Sequence, residues 1–423
     1  MYQVSDSKAL LRGHRRLLAA RSTPAGARVS RTVVLLGLTS LITDISSEMV
    51  VTVLPLYLVA IGGFSPLAFG FIDGLYNGAT ALMGLASGMI GDRFRRHKET
   101  AATGYGISAV CKLLLAVVGT GVSAIGAVVL LDRAGKGIRT APRDAMISLA
   151  TPRDQLGMAF GVHRAMDTTG AVLGPLLAFA LLAAAPLAFH TVFLVSFFLA
   201  LLGVGVLVLF VEQRGPVAGA RAPERPPALS GAFALLRLPR YRALMCAGAA
   251  LSLATASDAF VFLALQKELD LGTSLFPLLF VASSGTYMLL AVPAGRLADR
   301  FGRGRVFLAG YALLLGVYLA VLSPLGGWLL LVVALGLLGA YYAATDGVLM
   351  ALGSTVVPEE VRGSGLALLG TATSIARLVA SVAFGALWTL WTLNGAFIAF
   401  GAALVVATAL AGFLLVRAPE PAA

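Results

Sequence analysis

Apolar residues in this chain come in long, nearly unbroken runs, not with the period of 3.6 or 2 that marks a half-buried helix or strand. Twelve runs reach or approach the ~20 residues a helix needs to cross a bilayer. They lie at 33–60, 66–91, 100–120, 122–141, 156–184, 187–211, 242–266, 273–296, 305–323, 326–350, 362–391 and 394–416. The pattern predicts an all-α integral membrane protein of twelve transmembrane helices. The fourth run is the weakest, because only 122–131 is apolar before Asp132 and Arg133. The basic clusters flanking 100–141 belong on one side of the membrane, so the helix at 100–120 requires a return crossing. A polar helix can make it where it faces protein or a water-filled cavity.

Composition agrees: 58% of the residues are hydrophobic and 12% charged, more apolar surface than a soluble interior of this length can hide. The formal charge of +12 suggests a nucleic-acid partner until the positions are considered. Lys and Arg crowd residues 8–31, 93–98, 139–153, 214–242 and 296–305, whereas the alternate connections at 61–66, 120–123, 186–190, 323–327 and 393–395 have none. Only Lys267, Glu268 and Asp270 interrupt the alternation. The positive-inside rule then places both termini in the cytosol, and no nucleic acid is expected. The tail over 8–21 reads as a solvated segment or as a surface helix on anionic lipid. It lacks the apolar core and cleavage site of a signal peptide. Cys111 and Cys246 fall in or at spans and read as packing residues.

The chain repeats itself. Gly88-Met-Ile-Gly-Asp92-Arg93-Phe-Arg95-Arg96 matches Gly295-Arg-Leu-Ala-Asp299-Arg300-Phe-Gly302-Arg303 at an offset of 207. Pro152 and Gly157 match Pro358 and Gly363 at an offset of 206. Two parallel bundles of six helices are therefore expected at 32–211 and 241–417. A basic tail (1–31), a Pro- and Arg-rich cytosolic linker (212–240) and a short cytosolic tail (418–423) complete the chain. Such repeats are a known architecture of secondary transporters.

Charge inside the membrane is also periodic. Spans one, four, seven and ten carry Asp44 and Glu48, Asp132 and Arg133, Asp258, and Asp346, while spans six, nine and twelve carry no ionisable side chain well inside. A period of three spans sets polar helices around a central cavity. Asp44 and Glu48 are four apart and share a helix face. Two close carboxylates in a low dielectric cannot both ionise cheaply, which suits proton carriage; an Asp44–Arg133 ion pair of purely architectural use is the alternative. In the repeat Asp258 lies on the counterpart of the span that carries Glu48, and Asp346 on the counterpart of the span that carries Asp132. Asp73 and Asn77 share a face of span two, and Arg164 and Asp167 are placed to satisfy one another. Arg377 has no sequence-local acid and reads as an interfacial snorkel or an anion contact. Lys112 reads as a snorkel or as an unassigned exception. Tyr341 or Tyr342 is expected to line the cavity, with Tyr287 on span eight and Trp388 and Trp391 near an interface. His163, Met158 and Met166 lack a supporting ligand cluster, so neither metal nor cofactor is expected.

At these motifs the chain resembles the major facilitator superfamily. The loop Gly-x-x-x-Asp-Arg-x-Gly-Arg after the second helix of each half is its most specific signature. The second copy, through Gly295, Asp299, Arg300, Gly302 and Arg303, is intact, whereas the first, through Gly88, Asp92, Arg93 and Arg96, has Arg95 in place of the usual glycine. The resemblance implies a conformational gate at both loops. On span five, Gly161, Gly170, Gly174 and Pro175 resemble an antiporter signature, with Ala178 and Phe179 replacing its last glycine pair; helix packing alone is the other reading. On span four, Arg133-x-x-Lys136-Gly137 resembles an Arg-x-x-Gln-Gly motif tied to proton coupling, with lysine for glutamine.

These readings converge on secondary transport by alternating access. The first expectation is proton-coupled efflux of a small amphipathic or cationic compound, with Asp44, Glu48, Asp132, Arg133 and Asp258 coupling. Asp73, Asn77, Lys136, Tyr341, Tyr342, Asp346 and Arg377 would line the cavity. The alternative is proton-coupled uptake or export of a polar or anionic metabolite held by Arg133, Lys136 and Arg139. An enzyme or receptor is not expected, as no nucleotide loop, metal cluster or nucleophile–base pairing is evident. The expected setting is a prokaryotic inner (plasma) membrane, with the chain working as a monomer.

Overall fold

The computed structural model describes residues 29–79, 96–119, 121–152, 155–212, 234–358 and 361–416. Gly88, Asp92 and Arg93, and with them most of the first gate loop, lie outside the described residues, as do the N-terminal tail and most of the linker.

Among the described residues the regular structure is helical. Helix α1, Arg31–Leu56, starts on Ser30, whose hydroxyl accepts from the Val33 amide, and ends in a π turn, Tyr57–Ile61. Helix α2 is described over 66–79. Helices α3 (His97–Val117), α4 (Val122–Leu149), α5 (Leu156–Ala184) and α6 (Phe189–Phe210) follow. After the linker come α7 (Pro239–Leu253), α8 (Asp258–Glu268), α9 (Phe276–Phe301), α10 (Arg303–Leu322), α11 (Gly327–Val356), α12 (Arg362–Leu390) and α13 (Leu393–Val416). Among the described residues, ten helical stretches are long and apolar enough to cross a membrane, α7 and α8 counting as one. The other two helices are the described part of α2 and α4, whose charged run keeps it from reading as apolar.

The expected seventh span, 242–266, is not continuous. It breaks at Ala254–Ser257, and the freed backbone is satisfied locally. The Tyr318 hydroxyl of α10 accepts from the Ala256 amide at 2.7 Å and donates to the Ala254 carbonyl at 3.2 Å. Ser257 then caps α8 by accepting from the Ala259 amide. Irregular backbone at membrane depth persists only where protein or a cavity meets its hydrogen bonds.

Helix α1 packs most extensively on α5 and also on α6; α3 packs on α4 and α6; α10 and α9 both pack on α11. Gly170 and Gly174 of α5 permit the first of these contacts. A Cβ on Gly170 would stand 2.5 Å from the Leu41 carbonyl oxygen, and one on Gly174 2.7 Å from that of Ile45. Large apolar side chains on α6 and α13, such as Leu209 and Val406, are exposed, as a lipid-facing surface requires.

The helices before and after the linker meet along one seam. Gly70 and Gly74 of α2 abut the Ser381 and Leu378 carbonyls of α12, and Gly385 abuts the carbonyl of Pro66. The Leu67 amide donates to Thr389 Oγ1 at 3.0 Å. Helix α5 also touches α9 and the turn before it, Thr273–Leu275.

Between α9 and α10, Gly302 sits at φ +96°, a region that side chains other than glycine rarely enter. This accounts for the glycine in the intact gate motif. Its Arg303 reaches Asp299 at 3.4 Å and the Ala351 carbonyl at 3.5 Å, and Arg300 lies over the Phe301 ring.

Candidate transport site

The polar face of α4 follows from its spacing: Arg133, Lys136, Arg139 and Arg143 recur every three or four residues and form one stripe. The stripe turns inward. Arg133, Arg139 and Lys112 of α3 are each only 3% exposed, and unpaired cations at such depth would be costly. Asp132 takes two of them, Lys112 at 2.8 Å and Arg133 beside it. The Arg133 guanidinium also stacks 4.0 Å from the centre of the Tyr76 ring. Arg139 reaches Asp44 of α1 at 3.6 Å and lies over Tyr105. Arg143 meets Asp144 at 3.0 Å, Asp167 at 3.9 Å and Ser40 Oγ at 3.3 Å. Ser40 Oγ in turn pairs with Tyr105 and with His163 Nε2.

Several sequence expectations can be placed on this network. Asp44 pairs with Arg139 and not with Arg133. Lys112 does not snorkel outward but points inward to Asp132. Arg164 and Asp167 do meet, at 3.6 Å. Asp44 and Glu48 lie where α1 crosses the α5 glycines, the Glu48 Cβ filling the space a Cβ on Gly174 would need. By contrast, a Cβ on Gly161 or on Gly295 would meet nothing within 4 Å.

A central cavity of about 170 Å³ lies between the two sets of helices. Its polar groups are Asp73, Tyr76 and Asn77 of α2, Thr255 and Ser257 of the helix break, Asp258 at the start of α8, Tyr342 of α11 and Arg377 of α12. Its apolar wall includes Leu54, Phe69, Ile72 and Phe280. Tyr342 donates to Asp258 Oδ1 at 2.6 Å, and Ser381 donates to Asp73 Oδ2 at 2.7 Å. A smaller cavity, lined by Lys112, Asp132, Arg133 and Cys111, shares Val51, Leu54 and Tyr76 with the central one. Tyr76 thus links the α4 network to the central space.

Asp73, Asn77, Tyr342, Arg377 and Asp258 therefore come together. Tyr341 is fully buried behind them against Tyr311 and Tyr342. Asp346 is exposed and does not line this cavity. Asp44, Glu48 and Lys136 lie on α1 and α4 apart from its lining. Arg96 is exposed just before α3. Tyr76, Tyr318, Ser257 and Ser381 were not singled out in the sequence. Tyr76 is one turn from Asp73 and so recoverable, whereas Tyr318 and Ser381 act across helices and leave no local mark.

Membrane-crossing helices around a charged central cavity, with a broken helix in its wall, have the architecture of a transporter and not of an enzyme. Known proteins agree. The family model for the Major Facilitator Superfamily matches residues 36–285 and 244–423, and the chain belongs to that superfamily: it is a multi-pass membrane protein and a secondary transporter. An uncharacterized MFS-type transporter of Methanocaldococcus jannaschii is 31% identical over 370 residues, covering 85% of this chain and 89% of the relative. An uncharacterized protein of Mycobacterium bovis is 27% identical over 64% of this chain and 66% of its own length. The nucleoside transporter NupG superposes with a TM-score of 0.74 at 16% identity, covering 91% of this chain and 99% of that one. A mutant of the peptide transporter POT in complex with alafosfalin superposes with a TM-score of 0.74 at 17% identity, over 96% and 98%. At these identities the structural likeness concerns the fold.

Proposed function

We propose that this protein is a proton-coupled exporter that exchanges inward protons for a small amphipathic compound bearing a cationic group. The observation that carries this reading is the central cavity. Two carboxylates, Asp73 and Asp258, outnumber the one guanidinium, Arg377, in a cavity whose wall is otherwise largely aromatic and aliphatic, a setting for an ammonium on an apolar body. The reading in which Arg133, Lys136 and Arg139 hold an anionic metabolite has less support, because Arg133 and Arg139 are already bound to Asp132 and Asp44 and none of the three lines the central cavity. Asp44 and Glu48, beside the α5 glycines and the α4 cations, are the proposed proton carriers. Exchange of one inward proton for one monovalent cation moves no net charge, so the pH gradient drives it, and a tenfold proton gradient, about 1.4 kcal/mol, sustains a roughly tenfold substrate gradient.

In this reading the chain crosses a prokaryotic plasma membrane twelve times as a monomer, with α2 and α4 completing the set. It forms two six-helix bundles at 32–211 and 241–417 joined by a cytosolic linker at 212–240, and both tails are cytosolic. The seam between 66–78 and 378–389 is then the closed outer gate. The loops around Asp92 and Arg93 and around Asp299 and Arg300 act at the inner side. The test is expression in an efflux-deficient bacterium challenged with a panel of toxic amines, with and without an uncoupler. We expect a several-fold rise in tolerance to at least one amine, lost with the uncoupler. Protection unaffected by the uncoupler would sink proton coupling.

A further inference from the structure

The central cavity holds charges of both signs that the protein leaves unpaired. Arg377 lines it but forms no salt bridge among the described residues, and its Nε is buried without a hydrogen-bond partner. Lys112, Arg133, Arg139 and Arg143 behave differently, each lying within 4 Å of a carboxylate. Across the cavity, Asp73 and Asp258 take hydrogen bonds from the neutral donors Ser381 and Tyr342. Neither has a salt-bridge partner among the described residues. A planar guanidinium fork is matched geometrically by a carboxylate, which it binds with two parallel bonds. An ammonium is matched by the aspartates.

We infer that the cargo is a compact zwitterion, with an ammonium received by Asp258 and Asp73 and a carboxylate received by Arg377. Its apolar body rests on Leu54, Phe69 and Phe280. The cavity volume of about 170 Å³ is close to that of a pocket holding one benzene ring, so the body is small or extends beyond the cavity. Such a ligand gives Arg377 and the aspartates each an opposite charge, and the one negative charge left over is removed if one aspartate is protonated, whereas a simple amine leaves Arg377 without a carboxylate. The inference rests on the reading that this cavity holds the cargo, and it adds the anionic half.

The test is equilibrium binding to the purified full-length protein in nanodiscs, using three matched sets of probes. These are phenylalanine, phenethylamine and 3-phenylpropionate; tryptophan, tryptamine and 3-indolepropionate; and 6-aminohexanoate, hexylamine and hexanoate. We expect an amino acid of at least one set to bind about tenfold or more tightly than its amine and its acid. Arg377→Gln should remove the advantage over the amine by weakening the amino acid, and it should not weaken the amine. Asp258→Asn should remove the advantage over the acid. Arg377→Lys, which keeps the charge and loses the fork, should fall between wild type and Arg377→Gln, and it serves if Arg377→Gln does not fold. Equal binding of amine and amino acid, equal weakening of both by the Arg377 variants, or no binding of any probe would overturn the inference. If amines bind through Asp258 without regard to a carboxylate, this inference fails and the proposed cationic cargo stands. If amine binding ignores Asp258, both fail.

Discussion

Gly170 and Gly174 bring α5 onto the stretch of α1 that carries Asp44 and Glu48. The glycine motif and the carboxylate pair are thus two sides of one contact. The atoms an added Cβ would strike include backbone carbonyls at 2.5 and 2.7 Å, which no rotamer change can move aside. Gly174→Val should therefore cost about 1–3 kcal/mol by overpacking, read as a lower melting temperature in detergent. Gly161→Ala, where a Cβ meets nothing, should leave melting unchanged. The carboxylates and glycines were legible in the sequence because helical spacing alone puts each set on a face. Their partners were not. Whether Asp44 meets Arg133 or Arg139 depends on the axial register of α1 against α4, which no one-dimensional pattern encodes. Lys112 stood out as an exception, but its partner Asp132 lies on a different helix.

Among the elements, α4 and the broken seventh span are the least regular and the closest to the chemistry. Helix α4 reads poorly as a span for the same reason that it matters: its Arg133, Arg139 and Arg143 are answered by acids on α1, α4 and α5. The alternation of basic loops required a crossing there even though hydropathy did not. The break at Ala254–Ser257 leaves no mark in the sequence because its alanines and hydroxyl residues are small and uncharged, and a membrane helix accepts them. What holds it open is a tyrosine some sixty residues away in sequence. Tyr318→Phe should leave the Ala256 amide and Ala254 carbonyl with one hydrogen-bond partner fewer each, at a cost of about 1–3 kcal/mol. It should also weaken ligand binding beside Asp258, since α8 loses its anchor. Thermal melting and probe binding measured on the same sample would check both, and an unchanged melting temperature would contradict the role given to Tyr318.

Across the whole molecule, the repeat and the polar periodicity were visible in the sequence, and the structure places Asp258 of span seven and Asp73 of span two on one cavity. The seam joining the two sets of helices was not visible, since it pairs glycine faces and hydroxyls across helices far apart in sequence. If it is the outer gate, a Leu67→Cys, Thr389→Cys pair should be bridged by a short, reducible thiol-reactive crosslinker, because the 3.0 Å bond from Leu67 N to Thr389 Oγ1 holds the two residues together. Transport should then stop and return on reduction; transport through the crosslinked protein would argue against alternating access at this seam.

Proton exchange through the α1 carboxylates is tested most directly in sealed proteoliposomes with a pH dye inside, preloaded with an amine or amino acid selected by the cell assay. Wild type should acidify the lumen as substrate leaves, with substrate efflux accelerated by an inward proton gradient. Asp44→Asn and Glu48→Gln should lose that acceleration while substrate still exchanges against substrate. If either variant keeps gradient-driven efflux at the wild-type rate, that residue does not carry the proton; if both do, the α1 pair is not the coupling site.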